Sequence, residues 1–124
     1  VTQTLGNTLT VPGQPFPKAR PRFNRKQGRV YTPADSLLAE DLMASVMNLS
    51  LAPLGGEDVL LDVHFAFETR KSGDLDNCLK LVMDALQKAR VIDNDRQVRQ
   101  VRVACSDVAK GDAFTRVTLH VLIA

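Results

Sequence analysis

Two pairs of aspartates, Asp74 with Asp76 and Asp93 with Asp95, stand at either end of one amphipathic helical run. Each pair is spaced i, i+2. A plain helix N-cap would account for one of these residues, but not for four. A helix of about fifteen residues spans only about 22 Å, so a strand pairing beside it could bring the two acidic ends to one place. Carboxylates converging on a point repel one another unless a hard cation lies between them. All-oxygen ligation of that kind selects Mg²⁺, with Mn²⁺ as a substitute. Lys80 lies four residues after Asp76 on the same helix face, one turn before Asp84, where an ordinary exposed ion pair would also explain it. Asn77 suits either a hydrogen bond to a ligand carboxylate or a plain first-turn position.

The substrate class is suggested by the charge distribution. Lys18, Arg20, Arg22, Arg25, Lys26 and Arg29 precede the first acid, Asp35, so a net charge of +2 conceals a local +6 followed by −4. Prolines 12, 15, 17, 21 and 33 keep this segment extended. A basic arm beside a carboxylate metal site suits a polyanion held by one and cut at the other, and phosphate backbones are the commonest such partner. Phe16, Phe23 and Tyr31 interleave with the cations. They could stack on unpaired bases, with at least one of them packing into the core instead.

The elements that must position these groups follow from periodicity. Residues 8–11 read as a strand, 23–31 as a loose hairpin around Gly28, and 33–49 as a helix capped by Thr32 or Asp35. Leu37, Leu38, Leu42, Val46 and Leu49 recur along that helix as its expected buried stripe. Residues 59–68 alternate as a strand with Leu61, Val63, Phe65 and Phe67 inward. A polar loop over 69–73 leads to the second helix, which runs to about Arg90 and buries Leu79, Val82, Met83 and Leu86. Residues 98–108 and 113–123 read as a closing hairpin around Lys110-Gly111-Asp112. The expected architecture is α+β: a mixed sheet with two main amphipathic helices packed on one face. At 124 residues the chain is read as one domain, 1–124, whose residues 12–33 form the basic arm. It has no apolar run of about eighteen residues and no signal-peptide pattern, so neither a membrane nor an export role is expected. Cys78 and Cys105 lack metal-ligand spacing and read as reduced, partly buried thiols, with a cytoplasmic location to match.

Asp74-Leu75-Asp76-Asn77 followed by Lys80, then Asp84-Ala85-Leu86, then Asp95 with Gln97-Val98, resembles the RusA family of Holliday junction resolvases. Gly13-x-Pro15 leading to Lys18-x-Arg20-Pro21-Arg22, and Tyr31-Thr32 ahead of the first helix, resemble that family's amino-terminal signature. The resemblance runs through nearly the whole chain in order. It implies a homodimeric crossover junction endodeoxyribonuclease that binds branched DNA and resolves four-way junctions with Mg²⁺ by paired symmetric nicks, in recombination and repair. Carried over residue by residue, it makes Asp74, Asp76 and Asp95 the metal-binding acids and Lys80 the catalytic lysine, with the arm cations on DNA. The family often has two adjacent aspartates at the distal end. Here Asn94 precedes Asp95, and Asp93 is the weaker candidate ligand.

Two other functions compete. A non-catalytic DNA-binding module would use the arm alone and leave the four aspartates unexplained. A magnesium-dependent phosphohydrolase acting on a small phosphoester would need a phosphate loop or nucleophile motif that the chain lacks. His64 and His120 lie alone on strand faces and read as structural or exposed.

Overall fold

The computed structural model describes residues 2–3, 7–69 and 74–123. Its order is β1 (Thr2–Gln3), β2 (Asn7–Pro12), β3 (Arg22–Asn24), β4 (Arg29–Tyr31), α1 (Ala34–Ser50), β5 (Val59–Phe67), α2 (Leu75–Lys88), β6 (Val98–Asp107) and β7 (Phe114–Ile123). One short 3₁₀ turn, Asp95–Gln97, leads into β6. The expected polar loop over 69–73 falls largely outside the described residues.

The main sheet is mixed. β7 pairs antiparallel with β1, β2 and β5, while β5 pairs parallel with β6. The expected closing hairpin of the last two strands is therefore wrong: β5 lies between β6 and β7. The turn around Gly111, with φ 91, still reverses the chain, but it carries β7 past β6 to the far side of β5. The reason is burial. β5 is apolar almost throughout, with Leu60 and Ala66 buried as well as Leu61, Val63, Phe65 and Phe67, and such a strand gains most from a central place with partners on both sides.

β5, α2 and β6 form a crossover unit joining two parallel strands, so α2 runs back along the sheet. Val82, Ala85 and Leu86 of α2 pack with Leu61, Val63 and Phe65 of β5 and Val117 and Leu119 of β7 in one core. Leu79 and Met83 border that core half-buried, while Cys78, Leu81 and Ala85 join the buried face.

Helix α1 is turned differently from expectation. Its buried residues are Ser36, Glu40, Ala44 and Met47, whereas Leu37, Leu38, Leu42, Val46 and Leu49 are all exposed. In the first half of the helix Ser36 and Glu40 turn inward because they have partners there, and in the second half Ala44 and Met47 join the apolar core. Ser36 Oγ accepts the Ala19 N–H, and Glu40 meets Lys18. Neither Thr32 nor Asp35 caps α1: Pro33 holds the N-cap position with no side-chain cap bond.

The basic segment is partly ordered by pairing, as β3 and β4 form a small separate two-stranded sheet. Its turn closes through Gly28 N–H to Asn24 O, with Gly28 at φ 63. No helix among the described residues is long and apolar enough to cross a membrane.

Candidate active site

Asp74 occupies the N-cap position of α2, yet its carboxylate makes no capping bond. Asp76 Oδ1 accepts the N–H of Asn77 at 2.9 Å. Both side chains are exposed, and no ion pair is seen for either among the described residues. Capping thus leaves this acid pair unexplained. Both carboxylates stand at the positive end of the α2 macrodipole.

The distal acids lie elsewhere. After α2 the chain turns at Arg90, which takes a left-handed φ of 60, with Val91 N–H returning to Leu86 O. Asp95 N–H then donates to Gln87 Oε1, beside the last turn of α2. A fourteen-residue helix is about 21 Å long, so Asp95 is on the order of 20 Å from Asp74. The two acidic ends are not brought together within one chain. No group of three metal-ligating side chains converges among the described residues. The crossover explains this, because a helix running back along two parallel strands must set its ends at opposite ends of the sheet.

A clasp that the spacing of the acids does not announce holds Asp95 in place. Gln97 Oε1 accepts the N–H groups of Asp93 and Asn94 at 2.8 and 3.0 Å, while its Nε2 donates to Gly55 O and Glu57 O at 2.7 Å each. Asn94 Oδ1 in turn accepts the Arg96 N–H. Asn94-x-x-Gln97 is a capping box, and its spacing was visible in the sequence. Asp93 is exposed, one residue outside this turn.

The arm cations divide into two groups. Arg20, Arg22, Arg25, Lys26 and Arg29 are exposed, and Arg22 and Arg29 flank the equally exposed Phe23, Val30 and Tyr31 on the small hairpin. Phe16 is half-buried beside Leu42 and Met43. Lys18 points inward, bonding Glu40 at 2.7 Å and Asp84 at 2.6 Å with its side chain 17% exposed. Burial pulls the Lys18 ammonium toward neutrality, but the bonds to Asp84 and Glu40 outweigh it and its pKa is raised. Asp84 also accepts from Lys80 at 3.1 Å, and Glu40 lies 3.6 Å from Lys88, which bonds Asp41. The Lys80 side chain is 59% exposed, so its ammonium can reach a ligand besides Asp84. Between the arm and the first half of α2 lies a cavity of about 500 Å³ lined by Arg20, Asp76, Asn77 and Lys80.

Cys78 is buried one turn into α2, and Cys105 is exposed on β6; both are free thiols. Burial first, then the charges of Asp74 and Asp76, push the Cys78 thiol up to about 11. The native protein should therefore take up at most one adduct from a thiol reagent near pH 8, and two once unfolded. Two native adducts by mass spectrometry would show that the head of α2 opens readily. His64 is structural, bonding Ser106 Oγ at 2.8 Å and stacking on Phe114.

A model of the family described as "Endodeoxyribonuclease RusA" matches residues 12–121. The chain is 30% identical over 105 residues to the crossover junction endodeoxyribonuclease RusA of Escherichia coli K12, covering 84% of this chain and 86% of that protein. It is 31% identical over 99 residues to the protein of the same description from Enterobacteria phage 82, covering 78% and 82%.

Proposed function

This chain belongs to the RusA family of endodeoxyribonucleases, and from that premise we propose that it is a Mg²⁺-dependent endonuclease that resolves four-way DNA junctions by paired nicks. The observation that carries the proposal is the exposed Asp74/Asp76 pair, not spent on capping, beside Lys80 and beneath a basic arm. Carboxylates set against a phosphate-binding surface would weaken binding unless a cation joined them. Their oxygen donors suit a hard divalent ion, which commonly takes one or two carboxylates together with substrate phosphate. When bound, that ion supplies Lewis acidity and an activated water for phosphodiester hydrolysis. Asp74 and Asp76 would hold it, Lys80 would meet the scissile phosphate or the leaving oxygen, and the arm would hold the flanking strand.

Asp95 joins this set through a second copy of the chain. β6 is an edge strand of ten residues with one side unpaired among the described residues, and its helix-side Val101 is 43% exposed. A long edge of this kind is a template for pairing. β6 runs parallel to β5, so it begins at the Asp95 end of the sheet and finishes at the Asp74 end. Antiparallel pairing of two β6 strands about a two-fold axis exchanges those ends. It brings the partner's Asp95 to the end that holds Asp74 and Asp76. A homodimer then carries two composite sites related by symmetry, as paired nicks in a two-fold junction require.

The test is cleavage of labelled four-way junction, plain duplex and single strand, with Mg²⁺ or with EDTA. Cutting of the junction alone, and only with the metal, is expected. Equal cutting of duplex would remove the junction selectivity, and cutting in EDTA would remove the metal. In binding assays, Arg20→Ala with Arg22→Ala should weaken affinity similarly across sequences and reduce the salt slope by roughly 0.9 for each phosphate no longer neutralised. An unchanged slope would mean that the arm faces away from DNA.

A further inference from the structure

We propose that the cavity between the arm and α2 receives a single unstacked nucleotide of the bound DNA strand; the proposal rests on the nuclease reading above. At about 500 Å³, the cavity falls within the roughly 300–1,000 Å³ of small-molecule sites, which suits one nucleotide and excludes a duplex. It is held open before any ligand arrives. Lys18 N–H donates to Asn77 O at 3.0 Å, and Ala19 N–H donates to the fully buried Ser36 Oγ at 2.9 Å. The Lys18 ammonium is fixed between Glu40 and Asp84. These bonds tie the arm wall to both helices.

The lining is sorted by chemistry. Lys18 is already neutralised by Asp84 and Glu40. Arg20, which is exposed, and Lys80, held by one carboxylate only and with its side chain 59% exposed, are the cations left for a phosphate. Ala19, Pro21 and Thr32 supply methyl and ring surface on the arm side, against which a base face can lie. Asn77 faces the same space with its backbone already engaged: its N–H is held by Asp76 and its carbonyl by Lys18. Its side-chain amide carries one acceptor and two donors, enough to read a base edge. Asp76 lines the same cavity, so a nucleotide seated here would neighbour the phosphate to be cut. Extracting a base costs least where pairing is already broken. A branch point interrupts stacking, so the pairs flanking it open at less cost than those of a continuous duplex, and this cavity would add to junction selectivity.

The experiment uses four-way junctions carrying 2-aminopurine at single positions flanking the cut, bound by the full chain in EDTA. Emission at one such position should rise about threefold or more on binding, while the same label in duplex should not change. Ala19→Trp, which fills the cavity, should abolish the rise. Asn77→Ala should shrink the spread of Mg²⁺-dependent cutting rates among the four bases at that position from about tenfold or more to about threefold, since one bidentate base contact carries discrimination of that order. Binding of the junction with no emission gain at any position overturns this proposal and leaves the nuclease reading standing. A gain that survives Ala19→Trp in a folded variant overturns it as well. If that variant does not fold, an unchanged base spread in Asn77→Ala overturns it. Failure to bind the junction in EDTA and with Mg²⁺ alike overturns both readings.

Discussion

A mixture of Asp74→Asn and Asp95→Asn chains is expected to recover cutting that neither variant shows alone. Each substitution removes a proposed ligand oxygen charge, and each pure variant should lose on the order of 10³-fold in rate. Junction binding should stay intact or improve, because a negative charge near phosphate has gone. In a mixed dimer with composite sites, one site carries both lesions and the other carries neither. Random assortment then restores about a quarter of the wild-type sites, each as a lone intact site in its dimer. On a supercoiled cruciform plasmid those mixed dimers should yield nicked circles, whereas the wild-type dimer should yield linear product directly. No recovery on mixing would mean that each site is built within one chain, through a rearrangement that carries Asp95 about 20 Å along α2. Asp76→Asn should complement Asp95→Asn in the same way, and should fail to complement Asp74→Asn. Asp93→Asn should be milder. An equally dead Asp93 variant would identify Asp93 as the distal ligand instead.

Lys18→Met should destabilise the fold by about 3 kcal/mol, lowering Tm by about 10 °C. Lys18 joins Glu40 of α1 to Asp84 of α2, and the Glu40 and Asp84 side chains are only 10% and 23% exposed. Removing the cation leaves two largely buried carboxylates with only the more exposed Lys80 and Lys88 to balance them, which costs more than the pair contributed. The effect also has a pH signature. The folded-state pKa of Lys18 is raised, so its contribution is complete below the ordinary lysine value of 10.5 and is lost as pH climbs through the higher folded one. Wild type and Lys18→Met should therefore differ fully at pH 7 and converge in strong alkali. A difference under about 1 kcal/mol at pH 7 would show these ion pairs to be screened like surface ones. The same variant should leave the salt dependence of DNA binding nearly unchanged, because Lys18 is spent on protein carboxylates. Arg20 and Arg22 are not.

Much of the fold was legible in the residues alone. The alternation over 59–68, the helix after Asp74 and the strand after Gln97 are local patterns, and backbone periodicity alone assigns them. The acid pairs flanking α2, and the six cations that precede the first acid, Asp35, are likewise facts of order along the chain. Partner choice was not local. The apolar stripe of α1 marked one side of a helix, but periodicity does not say which side meets the core. Ser36 and Glu40 turned inward because Ala19 and Lys18, some twenty residues away, supplied their bonds. The turn at Gly111 announced a reversal, but pairing β7 with β5 rather than β6 depended on where the most apolar strand had to lie. Lys18 was indistinguishable by type from Arg20 until Asp84, 66 residues on, claimed it. Spacing made a meeting of the two acid pairs conceivable; the parallel crossover of β5 and β6 set them at opposite ends of α2. Order along the chain thus named the candidate residues for the chemistry. Only tertiary structure, through burial and long-range pairing, decided which of them meet.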